Sequence, residues 1–365
     1  MPHAGWWCKA GSGLLEQPYI LITGGAGFVG TNVALSYLKE KQPVHLFDDL
    51  SRPGVEANVA ELQERFPHHL RFTHSDVRDR NEVKSAVGSA KAIYHLAAQV
   101  AVTTSLQDPL ADLEMNLLGT LNVLEAVRHS PVKPPVLFTS TNKVYGKLRN
   151  IQLCKRSGRW EPEDKELARS GVAENQPLEF LSPYGCSKGS ADQYVLDYAH
   201  SYGIPATVFR MSCIYGPYQL GSEDQGWVAH FVRQAMKGEP VTIFGDGRQV
   251  RDLLFVGDLV RLMRRAQQDM NPIAGEAFNV GGGPDNCTSL LELLDQIRSL
   301  IGAPIEIAWG PERLADQRWY VVNPSKAKAA LQWIPEVSIR EGVRALCDWY
   351  GQRPALVAQS EVQVA

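Results

Sequence analysis

The sequence lacks the features that assign a chain to the membrane or to the secretory route. No apolar stretch approaches the roughly 18 residues that a transmembrane helix requires. The first residues contain no basic segment followed by an apolar one, which is the pattern of a secretory signal. These absences predict a cytoplasmic protein that has no membrane partner.

Cysteine is scarce and scattered. The chain has six cysteines and no C-x-x-C pair, whereas zinc sites and disulfide frameworks need cysteines at characteristic spacings. We therefore predict no metal site and no disulfide, and we expect reduced, mostly buried thiols. The six are Cys8, Cys154, Cys186, Cys213, Cys287 and Cys347.

An excess of charge of one sign is also absent. The formal net charge is -3 over 365 residues, and no run of basic residues occurs, so nothing in the sequence attracts nucleic acid. What the chain has is 44% hydrophobic residues, which is enough for a large core and more than one folding unit. Residues 1–16 show no periodicity and are predicted to form an extension outside the fold.

A glycine-rich turn follows the first apolar run. Residues 19–23 read as a buried strand, glycines stand at positions 24, 27 and 30, and residues 32–39 have helical character. In such a turn the glycines allow a tight bend, a close approach to a pyrophosphate and close packing of the helix on the strand. A glycine triplet can also be purely structural, so its context matters.

A carboxylate follows the second apolar run. Residues 44–47 read as another strand and end at Asp48, about 20 residues after the glycine turn, where a ribose hydroxyl would be bound. This position favours NAD over NADP. Arg52, in the following loop, keeps NADP open as the alternative.

The alternation of strands and helices continues through the first half. Strands are predicted at 70–73, 92–95 and 135–139, with a long helix at about 110–128. This rhythm predicts an α/β fold, a doubly wound parallel sheet of the Rossmann type that binds its ligand at the carboxyl ends of the strands. His95 is interpreted as a core residue, whereas Asn116 fits a loop contact and a ligand contact equally well.

Ser182 to Lys188 places a phenol and an ammonium four residues apart at the start of a predicted helix. A tyrosine that exchanges protons near neutral pH needs its pKa lowered by roughly three units, about 4 kcal/mol. Lys188 is the obvious source of that stabilisation for Tyr184. By itself, the spacing also fits an ordinary surface pair.

The second half is predicted to form a smaller α/β lobe. The predicted units are an NAD-binding domain at 17–211, a substrate-binding lobe at 212–352 and a tail at 353–365; a return of part of 241–265 to the first unit is left open. A charged insertion at about 147–180 is interpreted either as a substrate lid or oligomer contact, or as a solvated loop. The glycine run at 281–283 is taken as a connection, because it lacks the P-loop lysine.

Several of these segments together resemble the extended short-chain dehydrogenase/reductases, a family of nucleotide-sugar epimerases, dehydratases and decarboxylases. The resemblance covers roughly residues 18–350 and includes the segments that contain Arg210, Arg251 and Arg313. It implies that Thr141 hydrogen-bonds the substrate oxygen that is oxidised, that Tyr184 is the base, and that Lys188 holds the nicotinamide ribose.

The resemblance also implies two sets of binding residues. The cofactor is NAD, and the substrate is a nucleotide sugar whose pyrophosphate is bound by arginine. The predicted cofactor residues are Gly24, Gly27, Phe28, Val29, Gly30, Asp48, Asp49, Ser51, Arg52, Asp76, Val77, Leu96, Ala97, Ala98, Gln99, Asn116, Thr139, Tyr184 and Lys188; the predicted substrate residues are Asn142, Lys143, Arg251, Arg313 and Asp316.

The residues after Thr141 favour one reaction. The 4,6-dehydratases of the family carry an Asp-Glu pair there, whereas this chain has Asn142 and Lys143. The segments 98–105, 141–146, 182–188 and 224–227 resemble the CDP-tyvelose (CDP-paratose) 2-epimerases. The resemblance therefore implies epimerisation at C2 of a CDP-hexose through a ketone. The alternatives are a 4-epimerase or decarboxylase of the same family, or a catalytically silent NAD-binding regulator. By resemblance we also expect a homo-oligomer, a dimer or tetramer.

Overall fold

The protein is described from a computed structural model of the chain. The structure describes residues 17–313 and 316–358. The predicted extension at 1–16 and the part of the predicted tail beyond residue 358 lie outside the described residues.

Fifteen strands lie in the described part of the chain. They are β1 Tyr19–Thr23, β2 Val44–Asp48, β3 Leu70–His74, β4 Ala90–His95, β5 Val136–Thr141, β6 Leu153–Arg156, β7 Arg159–Pro162, β8 Ala206–Met211, β9 Cys213–Tyr215, β10 Val241–Phe244, β11 Val250–Phe255, β12 Ala277–Val280, β13 Cys287–Ser289, β14 Ile307–Gly310 and β15 Trp319–Tyr320.

The described residues also form fourteen α-helices. They are α1 Phe28–Leu38, α2 Glu56–Arg65, α3 Arg80–Val87, α4 Val102–Gln107, α5 Pro109–Leu113, α6 Gly119–Arg128, α7 Lys165–Ser170, α8 Ser182–Tyr202, α9 Trp227–Lys237, α10 Val256–Gln268, α11 Leu290–Ile301, α12 Ser325–Leu331, α13 Ile339–Gly351 and α14 Pro354–Ala358. Each of them is too short or too polar to cross a membrane.

Seven parallel strands form the central sheet, in the order β12-β8-β5-β4-β1-β2-β3. All five residues of β1 are buried, as expected for a strand of a parallel sheet that is covered on both faces. The chain winds from β1 in one direction to β3 and in the other to β12. The strand order therefore reverses beside β1, and a ligand crevice is expected at the carboxyl ends of β1 and β4. The doubly wound fold predicted from the sequence is confirmed.

The smaller lobe is built on two short sheets. Strand β11 pairs with β9, β13 and β15, and β10 pairs with β14. Strand β12 lies within the predicted lobe segment but pairs with β8, so the chain rejoins the central sheet there before it returns to the lobe. The sequence division had placed this strand in the lobe. One apolar cluster extends from Ile22 and Val33 under the central sheet to Leu293 and Trp349 in the lobe, so the two parts share a core.

Two details differ from the sequence predictions. The helix expected at 110–128 is interrupted by a π-helical turn, Glu114–Leu118. The five described cysteines are free, and they are exposed or half-buried. The expectation of mostly buried thiols is wrong, because these residues lie on strands of small sheets and on helix surfaces.

The charged insertion is ordered by contacts with the lobe. It contains the antiparallel β6–β7 hairpin and α7. The Trp160 backbone N–H donates to the Arg248 carbonyl at 3.0 Å, and the Val172 N–H donates to the Val321 carbonyl at 2.7 Å. The interpretation of this segment as a solvated loop is therefore wrong.

Candidate active site

The glycine turn is packed too tightly to admit side chains. Gly24 has a φ of +68°, and a Cβ there would lie 2.6 Å from the backbone nitrogen of Ala97. A Cβ on Gly30 would lie 2.4 Å from the Gly24 carbonyl oxygen. Gly27 is the N-cap of α1, and no side chain caps that end of the helix. The start of α1 is thus open to an anionic ligand, and the backbone can approach a pyrophosphate closely. These features fit a dinucleotide.

Asp48 ends β2 beside this turn. Its carboxylate accepts the N–H of Ala26 at 3.0 Å and the N–H of Leu50 at 2.9 Å, and burial raises its pKa. Each oxygen retains a further acceptor position, which fits a ribose hydroxyl. In the following loop, Asp49 accepts the N–H and the hydroxyl of Ser51.

Arg52 lies in the same loop but contacts the lobe. It donates to the Gln225 side-chain oxygen at 2.5 Å and to the Leu220 carbonyl at 3.0 Å. Both acceptors lie more than 160 residues away, so no local pattern predicts this contact. In this structure the guanidinium is directed at the lobe.

A further group of predicted cofactor residues follows β3 and β4: Asp76, Val77 and residues 96–99. Asp76 forms an ion pair with the exposed Arg78 at 2.6 Å. Val77 is buried, and its side chain packs against Gly119, where a Cβ would collide with it. The N–H of Ala97 donates to the Thr23 hydroxyl at 3.3 Å. Residues 96–99 therefore line the crevice at the reversal of the strand order.

His95 has two hydrogen-bonded ring nitrogens. Nδ1 lies 2.7 Å from the Thr23 hydroxyl, and Nε2 lies 3.0 Å from the Thr120 hydroxyl. Burial, together with the charge of Lys188, lowers the His95 pKa to about 3. His95 is thus a neutral core residue, as interpreted from the sequence.

A buried polar cluster that the sequence did not predict lies beside Asn116. Asp112 is fully buried and accepts from Ser187 at 2.5 Å, from Gln99 at 2.8 Å and from Asn116 at 3.1 Å. The side-chain oxygen of Asn116 is buried without a hydrogen-bond partner in the described part of the chain. The only sequence signal was the four-residue spacing of Asp112 and Asn116. Asn116 thus holds a neighbouring segment, and its contact with a ligand stays a prediction.

Tyr184 and Lys188 lie on the first two turns of α8. The helix has Pro183 in its first turn, where proline is favoured. Both side chains are buried. Lys188 donates to the Thr139 carbonyl at 2.6 Å, and its ammonium lies 4.2 Å from the centre of the Phe138 ring. The first turn of α8 thus faces the end of β5, where Thr141 is found.

Burial controls the ionisation of this pair. It raises the pKa of Tyr184 to about 12, opposed by the side-chain hydrogen bond with Thr141. Burial also lowers the pKa of Lys188 to about 7, opposed by Asp192 and Asp112. The sequence-based expectation of a phenol with a lowered pKa is therefore wrong for this structure, because desolvation outweighs the effect of a lysine that hydrogen-bonds to Thr139.

Three of the predicted substrate residues, Lys143, Arg251 and Asp316, form a charged group. The Asp316 carboxylate lies 2.6 Å from Arg251 and 3.6 Å from Lys143. Burial tends to raise the pKa of Asp316, but the two cations hold it below its usual value. Burial lowers the pKa of Lys143. This group carries a net positive charge, which suits a phosphate.

Two further residues complete this side of the site. Asn142 donates to the Gln317 side-chain oxygen at 3.1 Å, and Gln317 donates to the Gly146 carbonyl at 2.6 Å. Sequence reasoning missed Gln317, although it directly follows Asp316. Arg313 contacts a different group: it donates to the Glu223 carbonyl at 2.9 Å and lies 3.8 Å from the centre of the Phe244 ring.

Within residues 17–313 and 316–358, no group of three His, Cys, Asp or Glu side chains is arranged to hold a metal ion. The site consists of a dinucleotide crevice, a buried Thr-Tyr-Lys group and basic side chains. This combination can exchange a proton with an alcohol next to a hydride acceptor.

A family model described as the NAD dependent epimerase/dehydratase family matches residues 20–281. The chain is also similar to the CDP-paratose 2-epimerase of Salmonella typhi. The two are 40% identical over 337 residues, which make up 90% of this chain and 98% of that protein.

Solved structures of epimerases have the same fold. The UDP-glucose 4-epimerase of Thermotoga maritima with UDP-glucose has a TM-score of 0.79 and 30% identity, and the match covers 92% of this chain and 99% of that one. The UDP-glucose 4-epimerase of Thermus thermophilus in complex with NAD has a TM-score of 0.76 and 31% identity, with coverage of 91% and 99%.

Proposed function

The chain belongs to the NAD dependent epimerase/dehydratase family, and we propose that it inverts C2 of a CDP-linked hexose of the paratose/tyvelose type. Its cofactor is NAD. The observation that carries the proposal is the 40% identity to a CDP-paratose 2-epimerase over 98% of that protein. In the proposal, residues 17–211 together with β12 hold the cofactor, and the rest of the lobe to residue 352 holds the sugar nucleotide.

The cofactor crevice is assigned from the packing of its own residues. The turn at Gly24 and Gly30 receives the pyrophosphate, Asp48 receives a ribose, and Lys188 receives the nicotinamide ribose. NAD bound there would supply the hydride acceptor for the sugar carbon and the donor for the return step. No second redox substrate is consumed, because the cycle begins and ends with the oxidised cofactor.

Tyr184 and Thr141 handle the proton of the reacting hydroxyl. Tyr184 acts in its phenolate form: the substrate C2–O–H gives its proton to the phenolate oxygen as the C2–H hydride leaves, which produces a 2-ketone. Thr141, hydrogen-bonded to Tyr184, also hydrogen-bonds the substrate oxygen. After the ketone presents its other face, the hydride and the same proton return, and C2 is inverted. The atoms and electrons of the sugar are conserved.

Lys188 makes the transfer of the proton possible. A phenol with a pKa of about 12 is almost entirely protonated at neutral pH, and only its phenolate can accept a proton. The phenolate must therefore form next to a cation. Lys188 is the buried cation nearest in sequence on the same helix face, and we assign it this role. The protonated lysine stabilises the phenolate, and the phenolate in turn keeps the lysine protonated.

The residues after Thr141 oppose dehydration. The amide of Asn142 is occupied by Gln317, and it cannot act as an acid or a base at neutral pH. Lys143 is ion-paired with Asp316. No acid-base pair therefore stands where the dehydratases carry Asp-Glu, so the ketone is expected to be reduced again rather than to lose water.

The test is direct conversion. Protein purified without added NAD is incubated with CDP-paratose in deuterated water, and the products are followed by NMR. We expect CDP-tyvelose that retains hydrogen at C2, because the hydride is returned rather than exchanged with solvent. UDP-glucose and dTDP-glucose serve as comparison substrates. Conversion of UDP-glucose to its C4 epimer, or loss of water from dTDP-glucose, with no change in CDP-paratose, contradicts the proposal.

A further inference from the structure

Residues 217–226, here called the strap, connect β9 to α9 and contact the cofactor half of the molecule. The Asn32 side chain, on α1, donates to the Pro217 carbonyl at 2.9 Å. The Tyr218 hydroxyl donates to Glu61 of α2 at 2.6 Å. The strap therefore lies against the first helix after the glycine turn and the first helix after Asp48.

Arg52 joins the middle of the strap to the loop between β2 and α2. Its two guanidinium contacts, to the Leu220 carbonyl and the Gln225 side chain, are both on the strap. Arg52 follows Asp48 by four residues, so it fixes the strap to the loop that we assign to the cofactor ribose. The Arg52 side chain is half-buried at this contact, and burial lowers its pKa.

The strap does not hold its shape by backbone preference alone. Tyr218 has a φ of +69°, and Gly226 has a φ of +73°. A left-handed tyrosine persists only where its surroundings fix it. Here the hydroxyl bond to Glu61 and the Trp349 ring, 5.4 Å away between ring centres, do so. Side-chain contacts such as the one with Arg52 therefore decide where the strap lies.

The far part of the strap reaches a predicted substrate residue. Arg313 donates to the Glu223 carbonyl and lies 3.5 Å from the Asp224 carboxylate. One segment therefore links the loop of Asp48 to an arginine that we assign to the sugar-nucleotide diphosphate.

We propose that Arg52 is a positioning residue that retains the cofactor by fastening the strap to the loop after β2, and that it acts through Gln225. The inference rests on the proposed function in one respect: a redox-neutral epimerase must keep its NAD between turnovers. Arg52 was predicted from the sequence as a direct cofactor contact, whereas both hydrogen bonds of its guanidinium in the structure go to the strap.

The experiment measures NAD itself and not turnover. Wild-type protein and the variants Arg52→Met, Gln225→Met and the double variant are loaded with NAD and then diluted. The rate of NAD loss is measured by separating free from bound nucleotide. We expect each single variant to lose NAD at least about tenfold faster, which is the effect of one hydrogen bond to a charged group. The double variant is expected to be no faster than the faster single one, because both changes break the same contact.

Two controls complete the design. Arg80→Met removes an exposed guanidinium from α3 that donates to the Asn122 side chain, and it is expected to leave the rate unchanged. Arg52→Lys keeps the charge but cannot span both acceptors, so an intermediate rate is expected. If Arg52→Met does not fold, as judged by circular dichroism, Gln225→Met and Arg52→Lys decide the question.

The inference is overturned if Gln225→Met retains NAD within about twofold of wild type, or if the two single effects multiply in the double variant. The second result means that Arg52 contacts the cofactor directly. Failure to convert any CDP-sugar contradicts the proposed substrate but leaves these rates unaffected, so the two proposals fail separately.

Discussion

Tyr184 and Lys188 show how burial changes the chemistry that a four-residue spacing suggests. In this structure burial moves the pKa of the phenol to about 12 and that of the ammonium to about 7. Each neutral form is favoured, since desolvation penalises charge. A Tyr184 phenolate that accepts the proton of a substrate hydroxyl therefore needs the protonated Lys188 to offset the cost of burying its charge.

Replacing Tyr184 with phenylalanine removes the oxygen and leaves the ring. We expect Tyr184→Phe to lower kcat by about 10²- to 10⁴-fold, the usual contribution of general acid-base catalysis, and to leave the NAD content unchanged. Both quantities are measured on the same purified sample. Tyr194→Phe, on the exposed side of the same helix, is the control. Full activity of Tyr184→Phe would remove Tyr184 from the mechanism.

Buried histidines give the protein a defined sensitivity to acid. Burial lowers the pKa of both His45 and His95 from 6.5 to about 3. Between these values the unfolded chain binds more protons than the folded one, so stability is lost as the pH falls below 6.5. Asp252 acts with the opposite sign between about 3.8 and 6, because burial raises its pKa to about 6.

His45→Phe isolates one of these contributions. The free energy of unfolding of the wild type, relative to that of the variant, should decrease by about 1.4 kcal/mol for each pH unit below 6.5. Urea unfolding at pH 7, 6 and 5 measures it, and the contribution of Asp252 cancels in the difference. His68→Gln, an exposed position, is the control. Parallel curves for wild type and His45→Phe would show that His45 does not titrate in this way.

At the scale of the element, the glycine turn between β1 and α1 depends on backbone contacts. A Cβ on Gly30 would lie 2.4 Å from one backbone atom of the turn and 2.7 Å from another. Backbone cannot move aside as the end of a flexible side chain can, so the helix would have to shift away from the strand.

Gly30→Ala is therefore expected to destabilise the protein by about 2–3 kcal/mol and to weaken NAD binding. Thermal unfolding and equilibrium NAD binding measure the two effects. Gly351→Ala is the matched control, because a Cβ at the end of α13 meets no atom within 4 Å, and alanine favours helix. A Gly30→Ala variant as stable as the control would contradict the close packing of the turn.

The active-site helix α8 is held by a different kind of contact. Asp192 on α8 and Arg210 on β8 form a buried ion pair at 2.8 Å, and Arg210 also donates to the Tyr145 hydroxyl at 3.1 Å. Removal of one member of such a pair leaves an unpaired buried charge. The pair thus fixes α8 on the sheet, one turn beyond Lys188.

At the scale of the whole molecule, the cofactor crevice joins segments that are far apart in the chain. The turn after β1, residues 96–99 after β4 and the start of α8 meet at the reversal of the strand order. A ligand that contacts all of them binds the folded chain only, so NAD is expected to stabilise it.

Removal of NAD should therefore lower the Tm. Adding NAD back at about 100 times its Kd should stabilise the protein by about 2.7 kcal/mol. Thermal unfolding of stripped and reloaded protein gives the result. AMP, which lacks the nicotinamide, is the control ligand and is expected to give a smaller shift. Equal Tm values with and without NAD would contradict the assigned crevice.

The oligomeric state stays a prediction at this scale. Exposed apolar side chains occur on α5, on the π-helical turn and on α8: Leu110 is 72% exposed, and Leu118 and Tyr194 are each 43% exposed. Such a patch is consistent with a contact between copies. Analytical ultracentrifugation distinguishes a dimer or tetramer from a monomer.

The sequence alone determined the features that depend on short spacings. The glycines at 24, 27 and 30, Asp48 at the end of the second strand, and Tyr184 with Lys188 on one helix face were all read from neighbouring residues, because strand, turn and helix periodicities are local. The doubly wound sheet followed from the order of these elements.

Only the tertiary structure decided the contacts between distant segments and the charges that burial imposes. Lys188 turns to the Thr139 carbonyl, Asp112 binds Ser187, and Arg52 reaches Gln225, 173 residues away. No local pattern specifies such a partner. Likewise, the ionisation of Tyr184 depends on how much water the fold excludes around it, and that is set by the packing of α8 on the end of β5.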